Sequence, residues 1–143
     1  MNVMQILALK GSDEIQMASP TLSVEEAASE LSAKRIGALL VSNDGETISG
    51  IVSERDIVRV LGQKGAVVLR EPISSLMTST VVTCASTDSA LSVLERMTQG
   101  RFRHMPVVDD GKMVGFLSIG DVVKARIAEI ESDNAAMAEM LHG

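Results

Sequence analysis

Aromatic side chains are nearly missing from this sequence, which has no Trp, no Tyr and two Phe, Phe102 and Phe116. An aromatic core is thereby excluded, and the interior has to be filled by Val, Ile, Leu, Ala and nine Met. Cysteine is as scarce. The lone Cys84 excludes an internal disulfide and a cysteine-based zinc site and suits a reducing compartment. Its apolar surroundings point to an inert place in the core. No apolar run approaches the roughly 18–20 residues of a membrane span, so no membrane partner is expected. The opening MNVMQILALKGSDEI lacks a basic lead and a small-residue cleavage site, from which we expect a mature, cytoplasmic chain. Positive charge is short as well. A net charge of −6 argues against general nucleic-acid binding, which needs a broad basic surface to neutralise phosphates.

What is present is enough for one ordinary domain: 143 residues, 45% of them hydrophobic and 22% charged, without low-complexity runs. The organising feature is a duplication. At an offset of 66, Ser23/Ser89, Arg35/Arg101, Val41/Val107, Asp44/Asp110 and Gly45/Gly111 coincide. One residue is then lost in a turn, and at an offset of 65 Gly50/Gly115, Ser53/Ser118, Asp56/Asp121 and Val58/Val123 coincide.

Each copy reads as helix, strand, turn, strand, helix. The first helix carries Val24, Ala27, Ala28 and Leu31 in one copy, and Ala90, Leu91, Leu94 and Met97 in the other. Ser23, three residues before Glu26, is a capping-box start. Strands are expected over Ile36–Val41 and Phe102–Val108, then over Ile48–Val52 and Met113–Leu117. Asn43-Asp44-Gly45 and Asp109-Asp110-Gly111 lie between them as hairpin turns. The expected fold class is α/β (α+β): two βαββα repeats packed sheet to sheet about a pseudo-two-fold axis, plus a C-terminal helix extension. The boundaries are 1–62 for the first repeat with its N-terminal segment, 63–79 for a linker, 80–126 for the second repeat and 127–143 for the extension. Pro72 ends any helix before it.

The chemistry is carried by Gly50-Ile51-Val52-Ser53-Glu54-Arg55-Asp56 and Gly115-Phe116-Leu117-Ser118-Ile119-Gly120-Asp121. Glycine in a strand admits close approach to the backbone. Serine sits at the strand-to-helix junction, with aspartate in the first helical turn. The plain structural reading is a Ser-x-x-Asp helix cap. The functional reading uses the same geometry: a helix start offers N–H groups and partial positive charge to an anion, and the aspartate accepts hydrogen bonds from vicinal hydroxyls.

This phrase, after a β-α-β-β core, resembles the signature of the cystathionine-β-synthase (CBS) domain, Gly-hydrophobic-x-Ser/Thr-x-x-Asp. The resemblance covers about Thr21 to Leu61 and Val81 to Arg126, and two such domains in tandem form the family's pair, the Bateman module. It implies a ligand containing adenosine: AMP, ADP, ATP, NAD(H) or S-adenosylmethionine, with AMP or NAD favoured and no catalytic cofactor. By that resemblance Asp56, Ser53, Ile51 and Arg55 serve one cleft between the repeats, and Asp121, Ser118, Phe116 and Gly120 the other. The family's clefts are also lined by the other copy. That implicates Thr80, Val81 and the Arg101-Phe102-Arg103-His104 strand leading to Met105-Pro106-Val107, and, in the first copy, Ile36, Gly37 and Ala38. The first copy has Leu39-Leu40-Val41 where the family has its proline step, a departure that weakens the Asp121 cleft.

On a strand, Arg101 and Arg103 face one way and Phe102 and His104 the other. Arginines this dense in an acidic chain suit a phosphate, while salt bridges to surface carboxylates are the structural alternative. Lys10, Gly11 and Asp13 are candidates to line the Asp121 cleft. Val123, Ile127, Ile130, Asn134, Met137 and Leu141 are spaced 4-3-4-3-4 along the last helix, a coiled-coil-like seam with one polar position. Self-association as a homodimer is expected through it, against a helix packed on its own module.

The reading that follows is a regulatory sensor that binds an adenine nucleotide and signals to an effector protein or a second copy, with two unequal sites, of which the cleft joining Ser53 and Asp56 to the Arg101–His104 strand is the better equipped for a phosphate. No Ser-His-Asp set, paired carboxylates, metal spacing or phosphate-binding glycine loop supports an enzyme. The alternative is a ligand-free interaction scaffold whose Ser-x-x-Asp phrases are only helix caps.

Overall fold

A computed structural model describes every residue except 12–14, 16 and 143. The chain divides into two compact units, one gathering Met1–Asp13, Val82–Asp110 and Val114–Gly143, the other Glu14–Val81 and Gly111–Met113.

The first repeat runs β1 (Met17–Ala18), α2 (Val24–Lys34), β2 (Ala38–Val41), β3 (Gly50–Ser53) and α3 (Glu54–Lys64), after a helix α1 (Val3–Lys10) that begins the chain. Its sheet has the order β1-β2-β3. β1 runs parallel to β2, with Met17 opposite Leu40, and β2 antiparallel to β3, with Leu40 opposite Ile51. Ser23 caps α2, its hydroxyl accepting from the Glu26 amide at 3.1 Å. The helix's 3–4 spacing places Val24, Ala27 and Leu31 in a core with Leu39, Val41, Val52 and Ile57.

The second repeat follows the same plan. Its first strand shrinks to one parallel bridge, Cys84 to Val107. There follow α4 (Ala90–Gly100), the paired strands β4 (His104–Asp109) and β5 (Lys112–Ser118), and α5 (Ile119–His142). Cys84, Ala90, Val93, Met97, Met105, Val107 and Leu117 fill its core. Of the residues expected on α4's buried face, Leu91 is 45% exposed, and Val93 takes that role. Asp110 and Gly111 have φ of 52° and 76°, a tight turn with both centres left-handed. The first copy's turn is longer, organised by Asp44, which accepts from the amides of Glu46 and Thr47 at 2.9 and 2.8 Å. That difference is the residue lost between the two offsets.

Three expectations are corrected. The strands begin at Ala38 and His104 rather than at Ile36 and Phe102. Arg35 and Arg101 close α2 and α4 in the left-handed conformation, φ 53° and 57°, and the chain needs two more residues to become extended. The alternation assumed for Arg101 through His104 therefore does not apply, since only His104 lies in the strand. Second, residues 63–79 are not a bare linker. They form 3-10 turns over Ala66–Arg70 and Ile73–Ser75, ending before and after Pro72, and bury Val68, Ile73 and Leu76 in the first repeat's core.

Third, the N-terminal segment packs on the second repeat, not the first. Val3 and Ile6 are buried in the second core. Each repeat is in fact completed by the segment that precedes the other repeat, through matching bonds. Met1 carbonyl accepts from Ala90 N at 2.9 Å and Glu71 carbonyl from Val24 N at 2.9 Å; Val3 N donates to Asp88 O at 2.8 Å and Ile73 N to Leu22 O at 2.8 Å. The bridges Asn2–Ser89 and Ser23–Pro72 match in the same way. The internal repeat thus extends into 1–10 and 71–78, where it has no shared residue pattern strong enough to read.

Candidate functional site

The two Gly-x-x-Ser-x-x-Asp phrases fold alike, each within its own repeat. Strand β3 ends at Ser53, whose extended backbone makes it the N-cap of α3. Ser53 N donates to Asp56 Oδ2 at 2.9 Å, and Asp56 N donates to Ser53 Oγ at 3.2 Å. In the second repeat Ser118 N donates to Asp121 Oδ2 at 2.9 Å, and Asp121 N to Ser118 Oγ at 3.2 Å. These are reciprocal caps, each satisfying two donors that a helix start would leave open. The carbonyl of Gly37 takes the Glu54 amide at 3.0 Å, and that of Arg103 takes the Ile119 amide at 2.8 Å. Among the described residues the amides of Arg55 and Gly120 are what remains of each first turn to meet a ligand.

Each aspartate has a cation against it, from a different source. Asp56, buried, holds Arg59 Nη1 at 3.1 Å on Oδ1, one turn along its own helix, with Arg59 55% exposed. Asp121 holds Lys10 Nζ at 3.1 Å on Oδ2, and that ammonium also donates to the Phe116 carbonyl at 2.9 Å. Burial pushes the Asp121 carboxyl up, but the Ser118 amide and the Lys10 ammonium outweigh it and hold it below the ordinary carboxylate value. An ammonium has three donors. Among the described residues, Asp121 and the Phe116 carbonyl take two of them at Lys10.

The glycine before each phrase is a close-contact position. A Cβ on Gly50 would lie 2.6 Å from Met77 Sδ and 2.9 Å from the Thr78 carbonyl; one on Gly115 would lie 2.7 Å from both Leu7 methyls. Residues 76–78 and helix α1 therefore occupy the same place on β3 and β5. They treat the next residue differently. Ile51 exchanges both backbone bonds with Thr78, at 3.0 and 2.9 Å. Phe116 has its carbonyl met by Lys10 instead, and its ring stacks on His104 with centroids 5.6 Å apart and planes 24° apart.

Of the residues named from the sequence, the structure brings together Ser53, Asp56, Arg55 and Gly37 in the first repeat, and Ser118, Asp121, Gly120, Phe116, Lys10, Arg103 and His104 in the second. Gly11 is exposed and ends α1 with φ 87°, freeing the chain after Lys10. Thr80 is exposed and Val81 half-buried, just past the Ile51–Thr78 bridge, while Ile36 is half-buried ahead of β2. Three expected lining residues are packed within their own repeats. Ala38 is buried in β2, and Pro106 is buried with its carbonyl accepting from Cys84 N at 3.0 Å. Phe102 packs on the second core, close over Gly100. Arg101 is the exposed left-handed cap of α4. Asp13 lies outside the described residues. Sequence reasoning missed Arg59, though its position three residues after Asp56 on a helix was the available signal. It also missed Leu7 and Thr78, for which no local pattern exists.

Among the described residues, no group of three His, Cys, Asp or Glu is placed to hold a metal ion, and no helix is long and apolar enough to cross a membrane. Cys84 is buried, and desolvation pushes its thiol up to about 11.

Comparison with known proteins agrees with this architecture. The family model for the CBS domain matches residues 11–63 and 73–128. A CBS-domain-containing protein of Agrobacterium tumefaciens, solved by crystallography, is similar with 41% identity and a TM-score of 0.84, covering 88% of this chain and 99% of that one. The CBS domain protein of Pyrobaculum aerophilum complexed with AMP is similar at 29% identity and a TM-score of 0.73, over 85% of this chain and 89% of that one. The CBS domain pair of protein MJ0100, solved with 5'-methylthioadenosine and S-adenosyl-L-methionine, is 25% identical with a TM-score of 0.78, over 90% of this chain and 98% of that one. Among curated proteins, the Arabidopsis thaliana CBS domain-containing protein CBSCBSPB1 is 34% identical over 112 residues, 78% of this chain. The chain spans only 20% of that plant protein's length.

Proposed function

The chain belongs to the CBS domain family, and from that premise we propose that it is a non-catalytic regulatory module that binds an adenine nucleotide. AMP and NAD are the favoured ligands, taken at the Ser53–Asp56 and Ser118–Asp121 sites. The observation that carries the reading is the duplicated serine–aspartate pair at a helix start, with one first-turn amide left over and a cation beside the carboxylate in both copies. A ribose presents two hydroxyl donors to a carboxylate, and a phosphate presents oxygens to an amide and a cation. A chain of net charge −6 needs such local cations to hold an anionic ligand. Relatives solved with AMP, and with S-adenosyl-L-methionine and 5'-methylthioadenosine, support an adenosine-containing ligand.

The two sites are unequal. At Asp56 the counter-ion is an exposed arginine of the same helix; at Asp121 it is a lysine from another segment that also ties down the strand carbonyl. Arg103 and His104 stand as phosphate contacts, and Thr80, Val81, Ile36 and Gly11 as peripheral ones. A ligand shifts the pair between states only by its differential affinity for them, and the signal passes to an effector protein or a second copy. We place the protein in the cytoplasm, a reducing compartment that suits a free buried thiol.

Isothermal titration of AMP, ADP, ATP, NAD and S-adenosylmethionine into the purified chain tests the reading. Binding should be lost at one site in Asp56→Ala and at the other in Asp121→Ala. Because Trp and Tyr are absent, a co-purified nucleotide would also stand out as a 260 nm band. If none of these ligands binds or raises the melting temperature at millimolar concentration, the reading is wrong. The scaffold reading has its own observation in favour: each serine and aspartate pair is engaged in a reciprocal helix cap. Under it, the Asp→Ala variants keep every protein partner and no nucleotide is ever bound.

A further inference from the structure

The two aspartates differ in how many of their acceptor positions are already taken. A carboxylate offers two oxygens and about four lone-pair positions. At Asp56, Oδ2 accepts from the Ser53 amide at 2.9 Å and the Ser53 hydroxyl at 3.0 Å, and Oδ1 accepts from Arg59 Nη1 at 3.1 Å. Three positions are filled and one is left. At Asp121, the Ser118 amide at 2.9 Å and the Lys10 ammonium at 3.1 Å share Oδ2. Among the described residues no donor meets Oδ1 there, so two positions stand open on one oxygen. Lys124, which matches Arg59 at the offset of 65, is exposed and forms no ion pair with Asp121.

A ribose arrives with two vicinal hydroxyls, each of which donates once. Asp121 can accept both with Lys10 in place. Asp56 can accept only one until Arg59 withdraws. We propose that Arg59 is a specificity-determining residue of the Asp56 site, its guanidinium leaving Oδ1 for the phosphate of an incoming nucleotide. The Asp56 site then takes phosphorylated adenosines and discriminates against neutral ones, while the Asp121 site admits either. The proposal rests on the nucleotide reading and narrows the ligand class of one of its two sites.

The placement of Arg59 suits that exchange. Side chains on a helix lean toward its N-terminus, so Arg59, the sixth residue of α3, lies back over the first turn, where the Arg55 amide is open. Its side chain is 55% exposed, against 12% for Asp56. The guanidinium therefore has solvent to swing through, and an ion pair so exposed on one side is screened enough to break at small cost. A phosphate compensates the exchange with a planar two-point contact, for which a guanidinium is shaped. A neutral adenosine offers the displaced cation nothing in return.

The test uses the full chain carrying Asp121→Ala, which leaves the Asp56 site alone to be titrated with AMP and with adenosine. With Arg59 in place, adenosine should bind at least about tenfold more weakly than AMP. Arg59→Met should weaken AMP about tenfold and tighten adenosine about two- to fivefold, because a ribose then finds its second acceptor position open. A residue that only touched phosphate would leave adenosine unchanged. On an Asp56→Ala background, where the Asp121 site alone remains, Arg59→Met should alter neither ligand. Arg59 is exposed enough for the variant to fold, and Arg59→Leu gives the same reading if Arg59→Met does not. The proposal is overturned if adenosine binds Arg59→Met no better than the parent, or if the preference for AMP survives the substitution; the nucleotide reading then still stands. If the Asp121→Ala chain binds neither ligand, the nucleotide reading of the Asp56 site fails together with the proposal.

Discussion

Replacing Lys10 with Met removes a cation while keeping the length of the side chain, and the structure dictates two consequences. In the free protein the variant loses the ion pair to Asp121 and leaves the half-buried Phe116 carbonyl without its donor. Both side chains of the pair are about a quarter exposed, 26% and 22%, so screening limits the ion pair to a fraction of a kcal/mol. The carbonyl adds a lost hydrogen bond of about 1 kcal/mol. A total near 1–1.5 kcal/mol lowers the melting temperature by about 3–5 °C in a chain of this size.

The difference has a pH signature. Lys10 helps hold the Asp121 carboxyl below its ordinary value. Stability from that depressed value is fully present above the ordinary value and is lost as pH falls through the depressed one. The gap between native and variant should therefore narrow in acid. Under the proposed function, the Lys10 ammonium also meets a phosphate oxygen of the bound nucleotide. Its removal also leaves the Asp121 charge uncompensated beside an anion. A charge-assisted hydrogen bond of about 1.5–2 kcal/mol corresponds to a ten- to thirtyfold weaker Kd. Titrating AMP into Lys10→Met on an Asp56→Ala background reads the second site alone, with Lys10→Arg expected to recover part of the affinity. An unchanged or tighter Kd in Lys10→Met would refute the reasoning, and would mean that Lys10 only braces α1.

Gly50→Ala should cost more stability than Gly115→Ala. The first collides with the Thr78 carbonyl, which is backbone, and the second with the flexible end of Leu7. Overpacking at the first is worth about 1–3 kcal/mol, measurable as a drop in the urea midpoint, and Leu7→Ala should rescue Gly115→Ala but not Gly50→Ala. Cys84 should resist thiol reagents in the native state and react on unfolding, since its thiol is buried and pushed up to about 11; fast native labelling would contradict the core placement. Asp88 accepts from the Ala85 amide and from Arg96, which lower its carboxyl from 3.8. Its contribution is present above that value and lost on descending below it, so Asp88→Asn should flatten the acid limb of a stability-versus-pH curve.

The sequence made the duplication and its chemistry readable for a physical reason. Gly50/Gly115, Ser53/Ser118 and Asp56/Asp121 answer to local geometry: a close approach, a helix cap, a first-turn acceptor. The same geometry recurs, and the letters recur with it. Arg35/Arg101 matched as letters too, but their shared role is a left-handed helix end, which no rule of strand alternation could reveal. Residues 1–10 and 71–78 take equivalent places with different letters, because packing on a glycine strand asks only for an apolar side chain of some length. Leu7 and Met77 both serve. Lys10 was legible only as a nearby cation, since its partner lies 111 positions away in sequence.

That exchange of completing segments has a consequence for how the chain is made. The second repeat is built from residues at both ends of the chain, and its core includes Val3 and Ile6. During synthesis the first repeat can close once residue 78 has emerged. Helix α1 must wait with its apolar face unsheltered until its partners up to Leu117, Val122 and Ala125 have followed. Closing that long loop carries an entropic cost that grows only slowly with length, but it comes late. A single cut between the copies would separate the second repeat from a piece of its own core, so neither the ribosome nor a protease can treat the two halves as beads on a string.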